Sequence, residues 1–131
     1  MYQIETVKGS PVGVVFGKVH IADFQIAVDE FTKLKKDEFL EVDHPEGKLL
    51  CVLVALTRDS KMSAKDAFEY IDNRFTNEVS GSLIGEVAVI GMKNHDTNYP
   101  GSTAMPRTPL NAGKQVFRAS DTFIASVLGF N

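Results

Sequence analysis

Hydrophobic and polar positions alternate with period two over most of the first half of the chain. In "VGVVFGKV" (Val12 to Val19) valines dominate, and Gly13 and Gly17 mark a bulge, a bend or a close backbone approach. In "DFQIAVDE", Phe24, Ile26 and Val28 alternate with Asp23, Gln25 and Ala27, which gives a strand one buried face. "EFLEVDHPEGKLLCVLVALTRD" reads as a hairpin: Phe39, Leu40 and Val42 lead in, and "DHPEG" supplies the turn residues Asp43, Pro45 and Gly47. Leu49 to Leu56 leads out and is apolar on both parities, the pattern of a strand covered on both faces. Phe24 and Phe39 both fit core positions.

The period changes at Ser63. "SAKDAFEYIDNRF" opens with a near capping box, Ser63 and Asp66, and sets Ala64, Ala67, Phe68, Ile71 and Phe75 on one face. This predicts an inserted α-helix near 63–75. "GEVAVIGM" (Gly85 to Met92) returns to a strand pattern, and "KNHDTNYPGSTAM" reads as a loop. "MPRTPLNAG" is stiff: Pro106 and Pro109 fix their own φ and push Met105 and Thr108 toward extended geometry. An extended strut follows from that. "KQVFRA" is a short extended segment. Ser120 can cap a short C-terminal helix near 120–128 carrying Phe123, Ile124, Val127 and Leu128, with Gly129 as its stop. The fold class expected is mainly β: a small closed β-barrel with one inserted helix and one terminal helix, a single domain over 1–131.

Composition narrows the function. The chain has 131 residues, 44% hydrophobic and 24% charged, ordinary for one globular domain. A formal charge of -3 argues against a chain-wide grip on nucleic acid, which wants a basic surface. Cys51 has no partner for an internal disulfide and sits inside "LLCVLVAL", so it reads as a buried, inert thiol. "MYQIETVKGS" has no apolar core of a signal peptide, and Leu49 to Leu56 is too short to span a bilayer. An intracellular, cytoplasmic, soluble domain is expected, with no membrane contact.

Motifs for chemistry are absent. A phosphate loop needs G-x-x-x-x-G-K-[ST]. Gly47-Lys48 is followed by Leu49, with Val42 in the first glycine's place. Gly113-Lys114 is followed by Gln115, with Thr108 in that place. His20, His44 and His95 are scattered, and His44 and His95 read as solvated loop residues rather than metal ligands. "SGSLIG" lacks the nucleophile elbow. Lys33, Lys35 and Lys36 form a basic cluster beside Phe31, the one aromatic placed to stack on a base, but Asp37 and Glu38 follow at once. A solvated turn is the plainer reading of that cluster.

The order "VGVVFGKV", "FQIAVDE", "DEFLEVDHPEGKLLCVLVALTR", "EVAVIG" and "PRTPLNAGKQVFRASDTFIASVLGF" resembles the N-terminal barrel, the HAS barrel, of HerA-type ATPases, bipolar DNA translocases of archaea and some bacteria. The resemblance runs from about Val12 to Phe130. It implies a barrel over about 12–92 with its inserted helix. The remainder, 106–130, would be a strut, an extended segment and a short helix leading toward a missing ATPase domain. It implies no catalysis and no cofactor in this chain, with ATP and Mg confined to that other domain. The parent would be an ATP-dependent DNA helicase or translocase. Implied partners are further copies in a homo-hexamer, a NurA-like nuclease, and double-stranded DNA through the whole ring, in DNA end processing and double-strand break repair. Candidate docking residues are Asp43, His44, Glu46 and Lys48 on the hairpin and His95 and Asp96 in the later loop. Pro106, Arg107 and Pro109 are candidate strut anchors, with the Arg107 guanidinium bonding carboxylates or carbonyls. An arginine finger is the sharper role for Arg107, but nothing in the sequence sets it near phosphate. The rival reading is a free-standing nucleic-acid-binding barrel with Phe31, Lys33, Lys35 and Lys36 as its face. One departure stands out: many relatives carry glycine where Lys36 stands, so a turn needing positive φ is lost or shifted.

Overall fold

The computed structural model describes residues 9–59, 82–94 and 104–129. Six strands close into a barrel: β1 (Gly13–Phe16), β2 (Asp23–Val28), β3 (Phe39–His44), β4 (Gly47–Asp59), β5 (Ser82–Asn94) and β6 (Gln115–Arg118). Around the barrel they run β1-β2-β5-β4-β3-β6, and every neighbouring pair is antiparallel. A 3-10 turn (Glu30–Thr32) follows β2, and one helix, α1 (Asp121–Leu128), follows β6. The helix expected near 63–75 lies outside the described residues.

The alternating strands explain the interior. Val15, Phe24, Ile26, Leu40, Val42, Leu49, Cys51, Leu53, Val87 and Val116 fill it, and Leu34 and Leu110 enter from connecting segments. Burial pushes the Cys51 thiol far up, which removes its thiolate and makes it inert. Phe39 departs from expectation. It is only half-buried and pairs with Val52, one step out of phase with the inward pair Leu40 and Cys51.

Two β-bulges bend the long β4–β5 ladder, one between Leu50 and Cys51 and one between Leu53 and Ala55. They let two long strands curl in a small barrel. The second leaves Val54 exposed, so burial on both faces of β4 ends at Leu53 and not at Leu56. Before it, Leu50 is fully buried yet lies outside the interior cluster. It pairs with Glu41 on the outward face, and α1 packs on β4 and β5. Burying such a side chain is worth about 1.5–3 kcal/mol. An eight-residue helix is too short to stand alone, so this packing holds it. Ser120 caps its start by accepting from the Phe123 N–H, and Gly129, at φ 83°, ends it.

The barrel is not complete by residue 92. Pro106 to Gly113 does not lead away from it, because the chain re-enters and β6 inserts between β1 and β3 as a full stave. The physical reason is the unpaired edge that β1 and β3 would otherwise share. β1 is also shorter than Val12 to Val19: Gly17 turns it at φ 74°. The β3–β4 turn is tighter than "DHPEG", since Asp43 and His44 already pair with Lys48 and Gly47.

Among the described glycines, Gly47 is the one most constrained by its neighbours. A Cβ there would lie 2.1 Å from the Lys93 carbonyl oxygen, and main chain cannot swing aside. Gly47→Ala should therefore lower the urea midpoint by the equivalent of about 2–3 kcal/mol with an unchanged m-value. Gly9→Ala, with nothing within 4 Å, should be nearly neutral. Equal midpoints for the two variants would refute this account of the hairpin tip.

Candidate functional site

One end of the barrel carries the β3–β4 hairpin tip and the strut. His44 is buried, not solvated. Its Nε2 donates to the Thr108 carbonyl at 3.0 Å, and its Nδ1 accepts from the Glu46 N–H at 3.1 Å. Both ring nitrogens are thus committed to main chain, which fixes the ring's orientation. Glu46 in turn accepts from the Arg107 N–H at 3.3 Å. The hairpin grips the strut by its backbone, and the stiffness of Pro106 and Pro109 keeps those groups in place. Pro106 is buried, and Leu110 plugs the barrel.

The expected anchor differs in its atoms. Arg107 contributes its main-chain N–H, while its side chain is exposed and makes no hydrogen bond among the described residues. Pro109 is exposed. His95 and Asp96 lie outside the described residues.

Lys48 and Asp43 face outward opposite each other on the hairpin. Lys48 turns toward α1: its Nζ lies 3.2 Å from Glu41 Oε2 and 5.3 Å from the centre of the Phe123 ring. Glu41, a buried carboxylate, also accepts from the Ser120 N–H at 3.3 Å. A charge so placed is tolerated because it is paired. Sequence reading missed Glu41. Its signal was a carboxylate opposite Leu50 on a face that the two-parity apolar run had already marked as covered.

The opposite end carries Phe31, 94% exposed, on the 3-10 turn. Lys33, Lys35 and Lys36 are exposed close by, and Lys36 Nζ sits 3.5 Å from Asp37 Oδ1. The positive φ that a glycine at Lys36 would supply is carried one residue later, by Asp37 at φ 75°, a residue type that tolerates it. The Asp37 N–H donates to the Leu53 carbonyl at 2.7 Å. Arg118, also missed from sequence, ties this end together. Its Nε donates to Glu38 Oε1 at 2.8 Å and its Nη2 to the Thr32 carbonyl at 2.7 Å.

A third feature is a cleft of about 320 Å³ beside the β1–β2 turn, lined in part by Phe24, Val54, Val87 and Glu86. His20 Nδ1 and Asp23 Oδ1 pair at 2.9 Å beside it. Among the described residues, no three His, Cys, Asp or Glu side chains group to hold a metal ion. No described helix is long and apolar enough to cross a membrane.

Two outcomes test this geometry. Glu46→Ala should speed hydrogen exchange at the Arg107 amide, and His44→Ala should cost about 1–3 kcal/mol by emptying the buried ring's place and releasing the Thr108 carbonyl and the Glu46 N–H. Unchanged exchange would remove the clamp. At the other end, the Arg118 hydrogen bond holds the Glu38 carboxyl below its usual range; the Lys35 N–H adds to this and partial burial opposes it. A carboxyl lowered in the folded state stabilises fully above its unfolded value near 4.5 and loses that contribution as pH falls through the folded one. The stability gap between the native chain and Glu38→Gln, read from urea midpoints, should therefore shrink as pH falls below about 4.5. A constant gap would contradict it.

No protein-family profile matches the chain. Among curated proteins, a stretch of 111 residues is 26% identical to a protein of Methanocaldococcus jannaschii named probable helicase MJ1565. The match covers 78% of this chain and 21% of that protein, so the chain spans about a fifth of its relative's length. Most of this chain is therefore similar in sequence to one portion of a probable helicase.

Proposed function

We propose that this chain is a non-catalytic assembly and partner-docking barrel of a HerA-like DNA-translocating ATPase. Its work would lie in DNA end processing and double-strand break repair. The observation that carries the reading is the pairing of a closed six-stranded barrel with similarity to a fifth of a probable helicase. A barrel of this kind offers stiffness. Its hairpin grips its own strut, and its helix is fastened to the outer wall through Glu41 and Lys48. A stiff block beside a motor adds subunit contact in a ring while the motor domains move on ATP. A NurA-like nuclease would dock on the exposed part of the hairpin end, where Asp43 and Glu46 lie. ATP and Mg would bind in the ATPase domain.

The nucleic-acid reading draws on the exposed Phe31 beside Lys33, Lys35 and Lys36. Asp29, Glu30, Asp37 and Glu38 stand among those lysines, so the face lacks the uniform positive potential that phosphate binding wants. The assembly reading is preferred for that reason.

The reading frame past Asn131 tests the proposal. It should continue into G-x-x-x-x-G-K-[ST], and removing the barrel from that longer protein should lower its hexamer fraction, measured by mass photometry, with ATP binding retained. A frame without a phosphate loop, or hexamers indifferent to the deletion, would overturn it.

A further inference from the structure

Glu41 and His44 are the buried polar side chains among the described residues. Glu41 keeps its charge by meeting Lys48. His44, 3% exposed at the end of β3, has main-chain groups for partners instead. Their roles are fixed. The Thr108 carbonyl only accepts, so Nε2 carries a proton. The Glu46 N–H only donates, so Nδ1 carries none. The fold therefore holds one form of the ring, the neutral Nε2–H tautomer. Thr108 Oγ1, 3.5 Å from Nε2, makes no demand on Nδ1.

A second proton has one place to go. On Nδ1 it points at the Glu46 N–H, donor against donor, and leaves a buried charge without a counterion. The charges nearby do not offset this. Asp43, Lys48 and Lys93 form one cross-strand row, a step out of phase with His44 and so on the other face of the sheet. The row of His44 runs through Gly47 to Asn94, which do not titrate. On the turn and the strut, the one anion is Glu46, whose carboxylate accepts from the Arg107 N–H and makes no bond to the ring. The Arg107 guanidinium is exposed, and its sign opposes an imidazolium.

Both partners of the ring belong to one joint. Glu46 forms the hairpin turn, and Thr108 lies on the strut between Pro106 and Pro109. Losing Nδ1 as an acceptor frees the Glu46 N–H, and a ring that turns away frees the Thr108 carbonyl. Glu46 then has nothing to hold it against the Arg107 N–H.

We propose that His44 is a proton-operated latch: a proton on Nδ1 opens the hairpin tip and releases the strut from it. The latch goes beyond the assembly reading and does not depend on it. Its sign follows from the bonds. The open form takes up a proton that the closed form refuses, so opening grows as pH falls. A histidine free of the fold titrates at about 6.5, so the open-to-closed ratio should rise roughly tenfold from about pH 7.5 to about pH 5.5. Glu38 acts in a lower window, below about 4.5.

Hydrogen exchange on the 131-residue chain tests it. Protection of the Glu46 and Arg107 amides, corrected for the intrinsic rate at each pH, should fall roughly tenfold between about pH 7.5 and about pH 5.5. It should stay below the protection of the β2 amides throughout, as local opening requires. His44→Asn places an oxygen near where Nδ1 stands and does not titrate, so Glu46 should then be protected equally at both pH values. The double variant His20→Gln, His95→Gln leaves His44 as the one histidine and should behave as the native chain does. Ring-nitrogen NMR shifts need no substitution and should report the neutral Nε2–H tautomer at about pH 7.5. The other tautomer, flat protection in the native chain, or an equal fall in His44→Asn overturns the latch. So does one protection factor shared by Glu46, Arg107 and β2, because acid would then unfold the whole barrel. None of these outcomes touches the assembly reading, which the barrel-deletion experiment decides.

Discussion

Closure of this barrel rests on β6, one of its two shortest staves. β6 has four residues and pairs at two positions with β1, Gly13 with Val116 and Val14 with Gln115, and at two with β3, Leu40 with Arg118 and Glu41 with Phe117. Ladders so short hold little by themselves, and further main-chain bonds extend them, from Val12 to the Val116 carbonyl and from Ala119 to that of Phe39. The remaining hold comes from what flanks β6. Upstream, the hairpin fixes the strut through His44 and Glu46. Downstream, Glu41 and Lys48 fix α1. One hairpin, β3–β4, supplies both fastenings, so the closing strand is positioned at each end by the same rigid element.

This explains why the closure was hard to read from sequence while the strands were not. Period-two alternation follows directly from the pleat, so Phe24, Ile26, Leu40 and Val42 declared their inward face. The apolar run after Gly47 announced cover on both faces, and Leu50, fully buried outside the interior cluster on a strand that α1 packs against, agrees with it. Order around the barrel is another matter. No local pattern tells "KQVFRA" that its neighbours are β1 and β3, because that choice is made by edges formed elsewhere in the chain. The proline strut looked like an exit for the same reason. Its stiffness was legible, its destination was not.

The site residues divide along the same line. The Phe31 turn is legible in sequence because an apolar residue beside three lysines is a local oddity. Arg118 and Glu41 are not, because their partners lie far away in sequence: Glu38 and Thr32 for one, Ser120 and Lys48 for the other. His44 reads as solvated in sequence and is buried in the fold, because Thr108 and the strut arrive over it from far along the chain. In each case the deciding contact crosses a long loop of chain, and composition near the residue carries no trace of it.

The pairing of Gly13 with Val116 also has a consequence in time. Loop-closure entropy makes such contacts late ones, and a chain leaving the ribosome cannot make this one until its last third has emerged. Until then β1 has an open edge, and any neighbouring nascent chain can compete for it. Translation speed between β5 and β6 should thus govern how much of this protein reaches its closed form, quite apart from how stable that form is once made.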